Sequence, residues 1–222
     1  MMTDDLKQHA AGHLFERVGP LVAQSDGDGN LTNVHVPSDA GAFAGFQGAA
    51  HLRMALPAPV GNAWTNHVRA ALAERRVRGA LAVLGGESHE VWALPAPATS
   101  TATIVAFRGA MEHLPAPLVG TCSIGVITEH VWGVLEPLSR GQLTTLRAIA
   151  SGMDNDGIAK AMHRTKRAVE WHIRSLYLTL SCGTREELGT IGRRAGLCRF
   201  NEDAWLRVLA ARPARRGRSE TE

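Results

Sequence analysis

Between Ser139 and Gly196 the sequence carries four helix-start signals, each followed by a stop. Ser139-Arg140-Gly141-Gln142 has the spacing of a capping box, in which two side chains three residues apart satisfy each other's backbone donors. Leu143, Leu146, Ile149 and Ala150 follow at helical spacing, and Gly152 ends the run. Asp154 opens a short segment, DNDGIAKAMH, and Thr165 opens a longer one, TKRAVEWHIRSLYLTL. Thr184-Arg185-Glu186-Glu187 is a second box, opening a helix that Gly196 ends. Strand-like runs are missing from this stretch. Four short helices with tight connections can bury their apolar stripes only against one another, which confines the region to a small all-α bundle. NEDAWLRVLAARP predicts a fifth helix, and the polar end ARRGRSETE predicts a disordered tail.

The second and third of these helices have helix-turn-helix logic. Ile158 and Met162 share one face of the short helix, Ala159 is small where two helices cross, and His163-Arg164 supply the turn. Val169, Ile173, Leu176 and Leu180 form the buried stripe of the longer helix. That stripe turns Lys166, Arg167, Glu170, Trp171 and Arg174 outward. A helix face of this composition suits the major groove of DNA.

The residues from Pro137 to Ile191 resemble the LuxR-type (GerE-like) DNA-binding domain. The family pattern runs Leu-Thr-x-Arg-Glu, Gly-x-Ser-Asn-x-Glu-Ile-Ala, Ser-x-x-Thr-Val-x-x-His, then Lys-Leu and a following Arg. This chain supplies Leu138-Ser139, Ala150-x-Gly152, Asn155, Ile158-Ala159, Thr165, Val169, His172, Leu180 and Arg185-x-x-Leu188 at consistent spacing. It departs at Gln142, Thr144, Gly157, Ala168 and Thr179, the last of which removes a phosphate-binding lysine. The resemblance implies base reading by Glu170, Trp171 and Arg174, with Arg174 suited to a guanine edge and Glu170 to a cytosine amine. It implies phosphate contacts from Arg164, Thr165, Lys166, Arg167 and His172. It also implies a dimer helix over about 184–195, with Leu188 and Ile191 facing a twin. Plainer readings stand beside these roles. Glu170 is placed to pair with Arg174 one turn on, Trp171 to cover apolar surface, and His172 to act as a packing group. Arg212, Arg215, Arg216 and Arg218 read either as a solvated end or as a source of non-specific DNA attraction.

Upstream the patterning changes. Residues 4–18 read as an amphipathic helix carrying Leu6, Leu14, Phe15 and Val18, ended by Pro20. Two β-prone runs flank GDGN, a hairpin signal. Short helical pieces are expected over 38–56 and an amphipathic helix over about 60–77. The runs GALAVL, HEVWALPA and TATIVAFRG read as strands, the first two joined at Gly85-Gly86. LVGTCSIGVI is a candidate further strand, and EHVWGVLE a candidate short helix. Hairpin, helices and strand meander make an α+β domain, an antiparallel sheet with helices, whose element order resembles a PAS-like sensor. Phe43, Phe46, Trp64, Trp92 and Phe107 read as core, with lining of a small apolar ligand pocket as the alternative.

The charge divides along the same line. Residues 1–136 hold 8 Lys/Arg and 12 Asp/Glu, whereas 137–222 hold 16 and 9. The basic half is the one expected to meet a polyanion. There is no phosphate-loop motif, no receiver-type acidic pocket with a downstream lysine, and no nucleophile–base or paired-carboxylate constellation. An enzyme is therefore not expected, and neither is a cofactor. His9 and His13 are one turn apart but read as a solvated face, so no metal is expected either. Three cysteines without metal spacing, no secretory signal and no long apolar run fit a cytoplasmic protein without a membrane partner.

The sequence thus predicts a PAS-like sensor or interaction domain at 1–110, a connector at 111–136, a LuxR-type helix-turn-helix domain at 137–198, and a C-terminal helix with a basic tail at 199–222. The expected partners are double-stranded DNA and a second copy of the chain. A small-molecule or protein signal at the N-terminal domain and RNA polymerase are further candidates. The alternatives are an interaction protein with a decayed DNA-binding surface and a sigma-factor-like subunit.

Overall fold

The computed structural model of the chain describes residues 20–38, 41–108 and 123–212. The helix expected over 4–18, His9, His13, Cys122 and most of the basic tail lie outside them. The chain forms two compact units, the first reaching to Val131 apart from Gly85–Glu87, which groups with the second unit beginning at Trp132.

The first unit is built on one sheet of six strands: β1 (Leu21–Asp26), β2 (Leu31–His35), β3 (Arg78–Leu84), β4 (Glu87–Pro95), β5 (Thr101–Arg108) and β6 (Ser123–Val126). Their order is β2-β1-β5-β4-β3-β6. β1 pairs antiparallel with β2 and β5, and β4 pairs antiparallel with β5. The five strands read from the sequence are all present in one sheet. The candidate sixth strand is confirmed at the edge, parallel to β3.

The β1–β2 turn is organised by Asp26. Its carboxylate accepts from the backbone N–H groups of Asp28 and Asn30 and from the Asn30 side chain, which together hold its pKa below the ordinary value. Gly85 and Gly86 both adopt positive φ, as a two-residue hairpin requires.

A 3-10 turn (Gly41–Phe46), a short helix α1 (Leu52–Ala55) and the long helix α2 (Ala58–Glu74) connect β2 to β3. Pro59 lies in the first turn of α2, where its missing N–H costs nothing. α2 stops three residues before the expected end because Arg75 turns left-handed and donates back to Ala71 and Leu72. Trp64, Val68 and Ala71 pack on Leu21, Ala23, Ile104 and Ala106 of the sheet. In the same core Phe43 packs edge-on against Phe46, which lies tilted at 45° to Trp64.

Trp92 and Phe107 belong to the other face of the sheet. Trp92 lies against Gly79, where a Cβ would come within 2.6 Å of its ring, and Phe107 is half-buried. Two surface clefts of this unit are lined by other residues, such as Arg69, Leu72 and Pro97 in one, and His67, Arg78 and Thr128 in the other.

The second unit is helical: α3 (Arg140–Ala150), α4 (Asn155–Ala161), α5 (Lys166–Leu180), α6 (Arg185–Arg194) and α7 (Glu202–Ala211). The candidate helix in EHVWGVLE is a single 3-10 turn, Gly133–Leu135. Both expected capping boxes are present, Ser139 with Gln142 and Thr184 with Glu187. Leu143, Leu146, Ile158, Val169, Leu176 and Leu188 are all fully buried. Each contributes about 1.5–3 kcal/mol of burial.

α7 is fastened by arginines. Arg147 pairs with Glu202 at 2.8 Å, donates to the Phe200 carbonyl and lies over the Trp205 ring. Arg212 is buried rather than solvated. It stacks on Trp132 and donates to the carbonyls of Leu135 and Glu136. No helix among the described residues is long and apolar enough to cross a membrane.

Candidate nucleic-acid interface

The site is built by α4, the turn after it and α5. Asp154 caps α4, its side chain accepting from the Gly157 N–H at 2.7 Å. α4 ends at Met162, and His163 takes a left-handed φ of 52° to turn the chain. Thr165 then caps α5, its hydroxyl accepting from the Ala168 N–H. Val169, Ile173 and Leu176 bury one side of α5, while Leu180 at its end is half-buried.

The opposite side is open. Arg164, Thr165, Lys166, Arg167, Glu170, Trp171 and Arg174 are all exposed, so the structure brings seven of the eight residues expected at DNA onto one surface. Trp171 is 63% exposed and does not serve as a cover for apolar surface. Among the described residues no ion pair joins Glu170 to Arg174. Lys166 instead pairs with Asp156 on α4 at 3.1 Å, which raises the lysine's pKa.

His172 is the eighth residue, and it turns inward. Its ring lies where a side chain on Gly141 would be, 2.9 Å from that Cβ position. Its Nδ1 is buried without a hydrogen bond, and burial followed by the nearby Arg164 charge lowers its pKa. A neutral, half-buried imidazole is poorly suited to grip a phosphate.

Two sets of polar contacts brace the helices, one from α3 to α5 and one from α6 to α4. Gln142, which stands where the family pattern has a carboxylate, completes the capping box with its Oε1. Its Nε2 donates to the Ser175 hydroxyl in the middle of α5 at 2.7 Å. Arg185, in the first turn of α6, donates to the Asn155 side chain at 2.9 Å and to the Met153 carbonyl, which ties α6 to the start of α4. Asn155 and Arg185 were visible in the sequence as pattern positions. Their pairing was not, because thirty residues and a helix separate them.

α6 packs on α3 through Gly192, where a Cβ would lie 2.8 Å from Ala150. Leu188 is fully buried in this packing, so of the two expected dimer residues only the half-buried Ile191 keeps an outward side.

Residues 136–191 match the family described as bacterial regulatory proteins, luxR family. An HTH-type transcriptional regulator, AlkS of Ectopseudomonas oleovorans, is 35% identical over 60 residues, which is 27% of this chain and 7% of that protein's length. A Vibrio cholerae VqmA–ligand–DNA complex is similar over 86% of this chain and 89% of its own, with 14% identity and a TM-score of 0.43. A Vibrio cholerae VqmA dimer without target DNA is similar over 86% and 88%, with 13% identity and a TM-score of 0.37. Family match, capped helices and an exposed helix face coincide in one stretch: residues 136–191 match the LuxR family of bacterial regulatory proteins.

Proposed function

We propose that this chain regulates transcription by binding double-stranded DNA sequence-specifically, with α5 in the major groove. The observation that carries the reading is the outer face of α5. It presents Arg167, Glu170, Trp171 and Arg174, and the bundle core uses none of them. Arg174 and Glu170 read base edges, Trp171 contacts a thymine methyl, and Arg164, Lys166 and Arg167 meet phosphates. Thr165 holds the N-terminus of α5 toward a phosphate.

The protein acts as a homodimer through the outward side of α6 around Ile191, which sets two half-sites in register. The first unit senses a small-molecule or protein signal or mediates assembly, and it biases the dimer between binding-competent and incompetent arrangements. RNA polymerase is the partner that DNA-bound dimers would engage.

Fluorescence anisotropy on a labelled duplex selected from a random pool, repeated over a salt series, tests this. The logarithm of the affinity is expected to fall linearly with log salt, with a slope of about 0.9 per phosphate contact. Arg174→Ala is expected to cost about 1–3 kcal/mol on the selected duplex and little on a scrambled one. Arg167→Ala is expected to weaken both duplexes alike and to reduce the salt slope by about one contact. Flat salt dependence, or no binding at low salt, overturns the reading.

A further inference from the structure

The open side of the helix-turn-helix is only weakly basic. Lys160, Arg164, Lys166, Arg167 and Arg174 are exposed and are offset by Asp154, Asp156 and Glu170, leaving two net positive charges. Two of the three carboxylates have another place in the structure. Asp154 caps α4, and Glu170 lies on the outward side of α5. Asp156 is different. Its carboxylate oxygens lie 3.1 and 3.3 Å from the Lys166 ammonium, and both side chains are more than half exposed, at 60% and 55%. An exposed pair of this kind stabilises a fold little. It does occupy a cation at the mouth of the recognition helix. Asp156 is the leading cause of the raised Lys166 pKa, ahead of Glu170 and Asp154.

We infer that Asp156 restrains DNA affinity by serving as an internal counterion for Lys166, so that Lys166 must exchange a carboxylate for a phosphate when DNA binds. The inference rests on the DNA-binding reading above. A lysine already neutralised by a carboxylate gives little of the counterion-release gain that an unpaired lysine gives at a phosphate. The carboxylate also meets the approaching phosphates with like charge. Both effects act on the backbone of any duplex. The device lowers non-specific binding and leaves discrimination to Glu170, Trp171 and Arg174.

The test is anisotropy on the selected and scrambled duplexes with the full-length chain. Four forms are compared: unaltered, Asp156→Asn, Lys166→Ala, and the double variant. Asp156→Asn is expected to tighten binding to both duplexes alike, about fivefold, and to steepen the salt slope by about 0.9. Lys166→Ala alone is expected to weaken binding to both duplexes, since it removes a phosphate contact and leaves the Asp156 carboxylate unpaired, and to leave only a small part of the gain in the Asp156→Asn background. Asp156→Ser provides a second short polar residue at the helix start and is expected to behave as Asp156→Asn does. An unchanged affinity and slope in both Asp156 variants overturns the inference. A gain of undiminished size without Lys166 also overturns it, since like-charge repulsion then accounts for the whole effect. If neither the unaltered chain nor the variants bind any duplex at low salt, the DNA-binding reading falls together with it.

Discussion

Replacing Gly192 with leucine is expected to cost the second unit about 3 kcal/mol or more, whereas Gly189→Ala in the same helix is expected to be neutral or stabilising. The two glycines share a helix and a buried setting but face different neighbours. A Cβ at 192 would sit 2.8 Å from the Ala150 Cβ and 3.1 Å from the Leu146 carbonyl oxygen. Neither atom can move without shifting α3, so even alanine there should cost about 1–3 kcal/mol of overpacking. The gain of roughly 1 kcal/mol from replacing a helical glycine offsets only part of that. A Cβ at 189 would meet only the far end of the Arg193 side chain, which can swing away. Urea unfolding of the full chain followed by helical circular dichroism checks the pair. Equal midpoints for Gly192→Ala and Gly189→Ala would contradict the tight α3–α6 crossing.

The second large effect is on pH. In the first unit, burial pushes the His67 pKa down to about 4 and that of His130 down to about 3. His67 donates from Nε2 to the Arg78 carbonyl at 3.1 Å, and His130 accepts the Val83 N–H on Nδ1 at 3.1 Å. Both rings are therefore held neutral, and protonating His130 on Nδ1 would remove an acceptor as well as bury a charge. A base whose folded pKa lies below its unfolded value of about 6.5 adds stability that is complete above that value. The contribution is lost as pH falls from about 6.5 through the folded pKa. For His67 the difference amounts to roughly 3 kcal/mol across the window.

Hydrogen exchange read by mass spectrometry on β1 and β5 peptides is expected to speed up steadily between pH 6.5 and 4, after correction for the intrinsic rate. Much of that trend is expected to vanish in His67→Gln, which keeps a donor but does not titrate. A pH trend identical in the variant would assign the loss to other groups.

The helical unit was legible in the sequence because its signals are local. Ser139, Asp154, Thr165 and Thr184 each act within three residues of themselves, and Val169, Ile173 and Leu176 within one helix. The readings that shifted all depend on distant partners. His172 stands where the resemblance implies a phosphate contact, and what supports its other reading, as a packing group, is the space left for its ring by Gly141, thirty-one positions earlier. Leu188 has the spacing of an interface residue, but α3 already covers it. Arg212 carries a charge that suggests solvent, yet an indole and two carbonyls more than seventy residues upstream receive it. In the sheet, Trp92 and Phe107 read as core together with Phe43, Phe46 and Trp64, and nothing local to them shows that Gly79 makes room for Trp92 on the side away from α2.

The Arg212 contacts have a topological consequence. They fasten the last described residue of the helical unit to its first turn, and Arg140 closes the same junction by donating to the Arg212 carbonyl at 2.8 Å. Entry and exit of the unit therefore lie side by side, like the two ends of a buckled strap. A segment joined in this way can be moved between host chains as a cassette, because its own fold supplies the fastening and flanking sequence need only reach one place.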